Sequence, residues 1–246
     1  MVIALLADIH SNLEALEACL AHARSHGAAE FAFLGDLVGY GADPGAVIDI
    51  VAEHASRGAV VVKGNHDAAI SGSKGYLNEA AAAAIVWSRG VLSPQHRAFL
   101  DDLPLCVRRG PSCFVHASAA SPERWDYIDS PGAAERSARA AATPYTFCGH
   151  VHEQALYAQG IGRRMIAFRP QPAVAIPFGA HRAWLAIVGS AGQPRDGNPA
   201  ACYTLADLEA KSITFHRVAY DNFAAARKIR AAGLPEILAY RLERGA

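Results

Sequence analysis

The residues of this chain that could bind metal fall directly after five short apolar runs. They are Asp8, His10, Asp36, Asn65, His116, His150 and His152. Carboxylate, amide and imidazole donors without a thiolate suit Mn, Fe, Zn, Ni or Co rather than a structural zinc cluster. Seven donors are too many for one ion, whereas two ions about 3.5–4 Å apart that share one carboxylate would use them all. The donor set therefore predicts a centre for two divalent or trivalent metal ions.

The apolar runs must be the elements that position these donors. Their composition predicts buried strands at 2–7, 31–34, 59–62, 113–115 and 145–148. Helical patterns at 11–26 and 45–56 separate the first three runs, which predicts parallel strands in an α/β arrangement. Since the carboxyl ends of parallel strands share one sheet edge, five segments should converge there.

Residue spacing adds a finer expectation about two pairs of donors. Asp8 with His10, and His150 with His152, are two residues apart. On extended backbone such residues point to the same side, so each pair should offer two ligands to one location.

The remaining sequence predicts further helices and a second group of strands. Ser11 and Glu14 form a capping box for the first helix, residues 77–103 form two helices with Ser93 capping the second, and Asp196-Gly197 is a hairpin turn. Two short helices are expected over 222–244. Strands in a meander or set of hairpins are expected near 155–158, 164–168, 183–188, 201–205 and 213–218.

Composition limits the class of protein. Hydrophobic residues make up 52% and charged residues 19% of 246, with 23 basic and 23 acidic side chains. This balance predicts a folded chain without the basic footprint of a nucleic-acid-binding surface. The five cysteines are widely spaced and form no CxxC pair, and no apolar run reaches the ~20 residues that span a bilayer. A cytoplasmic location is expected, and the sequence leaves open whether the protein forms a homo-oligomer.

Five short motifs containing these donors appear in a recognisable order. They are DIH (8–10), GD (35–36), GNHD (64–67), VH (115–116) and GHVH (149–152), and in this order they resemble the calcineurin-like metallophosphoesterase superfamily. DIHSNLEALEA, GDLVGYGADP, GSAGQPRDGNP and GLPEILAYRLERG further resemble a small bacterial phosphodiesterase and phosphatase group of that superfamily. The resemblance covers nearly the whole chain.

The resemblance implies a fold. It is an α/β, four-layer α/β/β/α sandwich of two mixed sheets flanked by helices. A single domain would span residues 1–246, with a helical insertion at about 68–110 and C-terminal helices at about 222–244.

The resemblance also implies roles for the site residues. Asp8, His10, Asp36 and His152 would hold one metal, and Asp36, Asn65, His116 and His150 the other, with Asp36 bridging them. A hydroxide between the ions would attack phosphorus in line, His66 would be the general acid, and Asp67 would orient His66. Four residues are expected to contact the substrate, namely Asn12, Tyr40, Ser190 and Arg195.

The function expected from these residues is metal-dependent hydrolysis of a phosphodiester, a phosphomonoester or a dinucleoside polyphosphate. Two alternatives stay open: a non-catalytic, metal-binding interaction protein on the same fold, and a DNA nuclease. Asp36 is followed by LVGYG and lacks the arginine of the protein-phosphatase motif GDxVDRG, which argues against that activity. The other histidines are expected at the surface or in the core, namely His22, His26, His54, His96, His181 and His216.

Overall fold

In the computed structural model of this chain, which describes residues 2–72 and 78–246, two six-stranded mixed sheets pack face to face. The first sheet consists of β1 (Val2–Leu6), β2 (Glu30–Phe33), β3 (Val60–Val61), β9 (Ala175–Pro177), β11 (Ala201–Asp207) and β12 (Ser212–Val218). The second consists of β4 (Cys106–Arg109), β5 (Ser112–Val115), β6 (Tyr145–Cys148), β7 (Gln154–Gln159), β8 (Met165–Phe168) and β10 (Trp184–Val188). The spatial orders are β3-β2-β1-β11-β12-β9 and β4-β5-β6-β10-β7-β8.

Eight α-helices accompany the sheets in the described ranges. They are α1 (Leu13–Ser25), α2 (Pro44–Ser56), α3 (Asn65–Ile70), α4 (Glu79–Val91), α5 (Pro94–Asp102), α6 (Pro131–Ala141), α7 (Asn222–Ala231) and α8 (Glu236–Arg244). Helices α4 and α5 correspond to the two helices predicted over 77–103, although residue 77 itself lies outside the described residues. The helices α7 and α8 correspond to the pair predicted over 222–244.

Alternation of side chains along the strands produces the layers. In β1, Ile3 and Leu5 face the apolar core between the two sheets, whereas Ala4 and Leu6 pack with α1 and α2 on the outer face. On the outer face of the second sheet, α6 packs through small alanines against Leu185 and Ile187 of β10. The predicted four-layer α/β/β/α sandwich is therefore confirmed.

Parallel strands on both sheets bring the donor segments to one end of the molecule. Strands β1, β2 and β3 are parallel neighbours in the first sheet, and β5, β6 and β10 are parallel neighbours in the second. The loops after β1 and β2, the start of α3 after β3, and the loops after β5 and β6 carry the seven donors. Two packed sheets, rather than one, thus build the edge at which the site lies.

Several local predictions were wrong or incomplete. Helix α1 is capped by Asn12, whose side chain accepts a hydrogen bond from the Ala15 N–H at 3.1 Å. The predicted cap Ser11 has φ +54, whereas an N-cap residue needs extended backbone. Asp196-Gly197 is not a hairpin turn, because β10 and β11 on either side of it belong to different sheets. Strands β4 and β9 and helix α6 were not predicted.

Among residues 2–72 and 78–246, no helix combines the length and hydrophobicity needed to cross a bilayer. The interpretation of residues 1–246 as one domain stays a prediction.

Candidate metal centre

The donor side chains lie in the interior, although they are among the most polar groups of the chain. Asp8, His10, Asp36, His116, His150 and His152 are each at most 6% exposed, and only Asn65 is partly open to solvent. Burying such groups costs several kcal/mol unless they are paired or bind a metal. The fold concentrates them at one place, which indicates a binding role.

The backbone at these positions has an unusual conformation. Asp8, His10, Asp36, His150 and His152 have φ values of +52°, +51°, +52°, +68° and +66°. This left-handed region is rare for residues other than glycine and clusters at functional sites. The prediction that the two pairs lie on extended backbone was therefore wrong, because the chain turns sharply at each of them.

One group of donors surrounds Asp8. The ligand atoms of Asp8, His10 and His152 all lie within 4.8 Å of one another. The His10 Nε2 to His152 Nε2 distance is 3.1 Å, and His152 Nε2 lies 3.5 Å from Asp8 Oδ1.

A second group surrounds His116, and Asp36 connects the two. Asp36, His116 and His150 also have ligand atoms within 4.8 Å of one another, and His116 Nε2 lies 3.1 Å from both Asn65 Oδ1 and His150 Nδ1. Asp36 Oδ2 is 3.4 Å from His116 Nε2 and 3.7 Å from His10 Nε2. The pair His150 and His152 is thus divided between the groups, and Asp36 occupies the bridging position.

Backbone carbonyls fix the orientation of three imidazoles. The Nδ1 atoms of His10, His116 and His152 lie 3.1, 2.8 and 2.6 Å from the carbonyl oxygens of Val38, Leu34 and Gln193, respectively. Because a carbonyl only accepts hydrogen bonds, these Nδ1 atoms carry protons and the Nε2 atoms face into the site. Metal-binding histidines are commonly held in this way.

The resulting arrangement tests whether the residues fit a metal. Burial lowers the pKa values of His10 and His152 well below the ordinary value, so both imidazoles are neutral. Their Nε2 lone pairs then face each other at 3.1 Å, an arrangement that a shared cation would stabilise. The donor set and its geometry therefore fit metal ions.

The ionisable groups of the site shift one another's pKa values. Burial alone would raise the pKa of Asp36, but the charge of His116, followed by the electrostatic effects of His66 and His10, holds it well below the ordinary value. Burial would lower the pKa of His116, but Asp36 raises it to about 9. Burial raises the pKa of Asp8 to about 7. A bound cation would compete with the His116 proton for Nε2.

His66 lies against this set and is nearly fully buried. Its Nε2 is 4.0 Å from Asp36 Oδ2, and the ligand atoms of His10, Asp36 and His66 also come within 4.8 Å of one another. Its Nδ1 is buried without a hydrogen-bond partner in the described chain and faces Gly39, where a Cβ atom would approach it to 2.3 Å. His66 therefore directs Nε2 at the site, and the absence of a side chain at Gly39 leaves room for its ring.

The Asp67 carboxylate accepts hydrogen bonds from backbone N–H groups, and its predicted role in orienting His66 stays a prediction. Its Oδ1 accepts the N–H groups of Leu37 and Val38 at 2.9 and 3.2 Å, and its Oδ2 accepts the Gly64 N–H at 2.9 Å. These bonds tie the loop after β2 to the start of α3. Asp67 thus fixes two donor segments relative to each other.

Asn12 and Ser190, two of the predicted substrate contacts, are engaged within the protein. Besides capping α1, Asn12 donates to the Gly192 carbonyl at 2.8 Å. The Ser190 hydroxyl donates to the Asp8 carbonyl at 2.8 Å and accepts the Gln193 N–H at 2.8 Å. Both side chains are buried and hold the loops of the site, so the structure does not support a direct contact with substrate.

Tyr40 and Arg195, the other two predicted contacts, lie together beside the donors. The Tyr40 ring is 4.4 Å from that of His10 and 4.6 Å from that of His66. Arg195 donates to the Tyr40 hydroxyl at 3.3 Å and to Gln193 Oε1 at 3.1 Å. Since these partners are uncharged, the Arg195 cation is available to an anion.

Sequence reasoning missed two aromatic residues at the second group of donors. Tyr127 stacks on His150 with 4.0 Å between ring centroids, and Trp125 meets His116 edge to face at 5.9 Å. Neither belongs to a recognisable motif. Their position nine and eleven residues after His116 was the available signal.

Comparisons with known proteins identify related sequences and folds. A family model described as the calcineurin-like phosphoesterase superfamily domain matches residues 1–211. An uncharacterised protein from Methanocaldococcus jannaschii is 33% identical over 247 residues, which cover 98% of this chain and 97% of that protein. The crystal structure of a metallophosphoesterase from Sphaerobacter thermophilus is 33% identical and covers 100% of this chain and 99% of its own, with a TM-score of 0.88. A hypothetical protein from Pyrococcus horikoshii shares the fold at 21% identity, with a TM-score of 0.81 and coverage of 100% and 98%.

Proposed function

The chain belongs to the calcineurin-like phosphoesterase superfamily, and from this premise we propose that it hydrolyses phosphate esters with two bound metal ions. The observation that carries the proposal is the meeting of two buried groups of nitrogen and oxygen donors at Asp36. The substrates we propose are small: a phosphodiester, a phosphomonoester or a dinucleoside polyphosphate.

The donor groups suggest which residues hold each ion. Asp36 would be shared between a site completed by Asp8, His10 and His152 and a second site completed by Asn65, His116 and His150. Two ions of the Mn, Fe, Zn, Ni or Co class, when bound, supply an activated water molecule and neutralise charge on the phosphoryl oxygens.

His66 is proposed to protonate the leaving oxygen. A buried N–H without an acceptor is costly, so the contact of Nδ1 with Gly39 favours the proton on Nε2, which faces the site. Burial lowers the pKa of His66, and the negative charge of a bound phosphate would raise it towards the range suited to a general acid.

Arg195 and Tyr40 are proposed to bind the phosphate. The guanidinium carbon lies 5.7 Å from the centre of the Tyr40 ring, whose hydroxyl it also contacts. This contact limits the rotamers of Arg195 and presents a charged, planar donor to a phosphoryl group.

The experiment is metal analysis of the purified protein, combined with hydrolysis of p-nitrophenyl phosphate, bis-p-nitrophenyl phosphate and diadenosine tetraphosphate. Asp36→Asn should lose both metal and activity. His66→Ala should retain the metal and lose most turnover on substrates with poor leaving groups, whereas loss of metal would make His66 a ligand instead. Replacement of the exposed His181 by Ala serves as the control.

Two results would contradict the proposal. Full activity in both Asp36→Asn and His66→Ala would exclude the proposed mechanism. Wild-type protein that binds metal but hydrolyses none of a broad panel of phosphate esters would favour the non-catalytic interaction protein.

A further inference from the structure

The exposure of Tyr127 is unusual for an aromatic residue beside a buried site. Its ring stacks on His150 at 4.0 Å with an interplanar angle of 21°, so one of its faces covers a donor of the second group. The side chain nevertheless remains 54% exposed. One ring face is therefore directed at the site and the other is available to a ligand.

Trp125 extends the same aromatic surface. Its ring lies edge to face on His116 at 5.9 Å and is partly exposed. The residue has φ +58°, a left-handed conformation that is rare for a bulky side chain. The strained turn thus places the segment 125–127 against both imidazoles of the second donor group.

A cation lies at the other boundary of this surface. Arg195 donates to the Tyr40 hydroxyl at 3.3 Å, and the Tyr40 ring lies 4.4 Å from that of His10. The charge of Arg195 also acts on the Tyr127 phenol. The ring surface, the donor groups and the guanidinium are therefore neighbours. A ligand with a phosphate beside a planar group would match all three.

We propose that Trp125 and Tyr127 form a stacking platform for a planar ring of the substrate, which selects phosphate esters of nucleosides or other ring-bearing alcohols. The inference rests on the proposed function and specifies its substrate class. Base stacking on an aromatic side chain is typically worth about tenfold in affinity, and it tolerates different bases because every base has a flat face.

A role in shielding His150 differs from stacking in what it requires of the side chain. If Tyr127 served only to shield His150, an aliphatic side chain would suffice, whereas stacking requires the flat ring. The side chain of an acyclic alcohol, such as a glycerol ester, has no flat face with which to use this surface.

The test compares two ligands that differ only in the ring. Binding of adenosine 5′-monophosphate and of ribose 5-phosphate to the metal-loaded protein is measured by calorimetry. Wild type should bind the adenosine compound about tenfold more tightly than the ribose compound. Tyr127→Ala and Trp125→Ala should each bring this ratio towards one.

Further variants separate stacking from folding. Tyr127→Phe keeps the ring and should keep the ratio, whereas Tyr127→Leu keeps an apolar cover on His150 and should lose it. Tyr240→Ala removes another exposed tyrosine, on α8, and should keep the ratio. Metal content and circular dichroism are measured for every variant.

A kinetic arm uses thymidine 5′-(p-nitrophenyl phosphate) and methyl p-nitrophenyl phosphate, which release the same leaving group. The ratio of their kcat/KM values should exceed about tenfold in wild type and fall in Tyr127→Leu. An unchanged kcat/KM ratio in Tyr127→Leu, or equal binding of the two ligands by wild type, would overturn the platform. The proposed function would still stand in that case if both esters were hydrolysed. Hydrolysis of neither ester by metal-loaded wild type would count against the proposed function, and the calorimetric ratio would still decide on the platform.

Discussion

At the scale of single residues, the site depends on backbone conformations that side chains usually avoid. Five of the seven donors lie in the left-handed region, at a cost of about 1 kcal/mol or more each. Hydrogen bonds from neighbouring loops maintain them, such as that from the His10 N–H to the Asp36 carbonyl at 2.9 Å. Neighbouring glycines provide the space, and Gly39 does so for His66.

Gly39→Ala tests the position of His66. A Cβ atom there would approach His66 Nδ1 to 2.3 Å, so the imidazole must move away from the site. We expect turnover to fall at least about tenfold, which is the smallest usual contribution of a positioned acid–base group, while the metal content stays constant. Gly58→Ala is the matched control, because Gly58 also has positive φ (+94°) but nothing within 4 Å of the added methyl group. Equal turnover in the two variants would show that Gly39 does not position His66.

Asp67→Asn tests the connection between the loop after β2 and α3. The carboxylate accepts three backbone N–H groups, whereas an amide has one accepting oxygen and would direct its NH2 group at a donor. We expect a loss of about 2 kcal/mol in the free energy of unfolding, measured by urea denaturation. Asp129→Asn changes an exposed aspartate and should have little effect. Unchanged stability of Asp67→Asn would mean that these bonds are readily replaced by water.

At the scale of elements, the segment between β10 and β11 shapes the site. It crosses from the second sheet to the first and passes behind the donors. The N–H groups of Ala191 and Gly192 donate to the carbonyls of Ala7 and Asp8, both at 2.9 Å. A Cβ atom at Gly192 would lie 1.8 Å from the Ile9 carbonyl oxygen. The crossing segment thus packs closely against the loop that contains Asp8 and fixes its position.

Ser190→Ala tests this crossing segment. The variant leaves the Gln193 N–H without its acceptor and removes one of the two donors to the Asp8 carbonyl, which keeps the Gly192 N–H. We expect a loss of about 1–2 kcal/mol in unfolding free energy and weaker metal binding, because Gln193 also orients His152. Thermal unfolding and metal titration measure the two effects, with Ser25→Ala at the exposed end of α1 as the control. Normal metal affinity in Ser190→Ala would show that this contact of the crossing segment does not determine the geometry of the donors.

At the scale of the whole molecule, distant segments meet because the two sheets pack with their site ends together. The His150 N–H donates to Asp8 Oδ2 at 2.9 Å across a separation of 142 residues. Gly149 permits this approach, since a Cβ atom there would lie 2.4 Å from that of Ala7. The packing of α1 against β11 and β12 creates a second cluster of histidines, on the outer face of the first sheet. The rings of His22, His26 and His216 are 4.0–5.3 Å apart, next to Tyr203.

His216→Gln tests how this second cluster affects the pH dependence of stability. Burial, with the charges of His22 and His26, lowers the pKa of His216 to about 4, whereas an unfolded chain has a histidine pKa of about 6.5. The unfolded state therefore binds more protons between these values, and the contribution of neutral His216 is full above pH 6.5 and declines as the pH falls towards 4. We expect the loss of unfolding free energy between pH 7 and 5 to be about 1 kcal/mol smaller in the variant than in wild type. Urea denaturation at both pH values measures these losses, with His181→Gln as the control. Equal losses in His216→Gln and wild type would contradict the prediction.

Much of the fold and the donor set could be predicted from the sequence, because both depend on local patterns. Apolar runs followed by Asp8, Asp36 and His116 predicted the strand order along the chain, and the superfamily resemblance predicted the layers that the structure confirms. The seven donors do lie together. Their binding of two metals and the role of His66 stay predictions.

Tertiary packing alone decided the rest, because it depends on contacts between residues far apart in the sequence. The superfamily resemblance implied that His150 and His152 belong to different donor groups, but the sharp turns that separate them are not visible in the residue spacing and appear only in the fold. The roles of Asn12 and Ser190 depend on the segment that crosses between the sheets. The aromatic surface of Trp125 and Tyr127 exists only because a loop without a motif packs on His116 and His150. The sequence by itself determined which chemical groups the site contains, and tertiary structure decided which of them face a ligand.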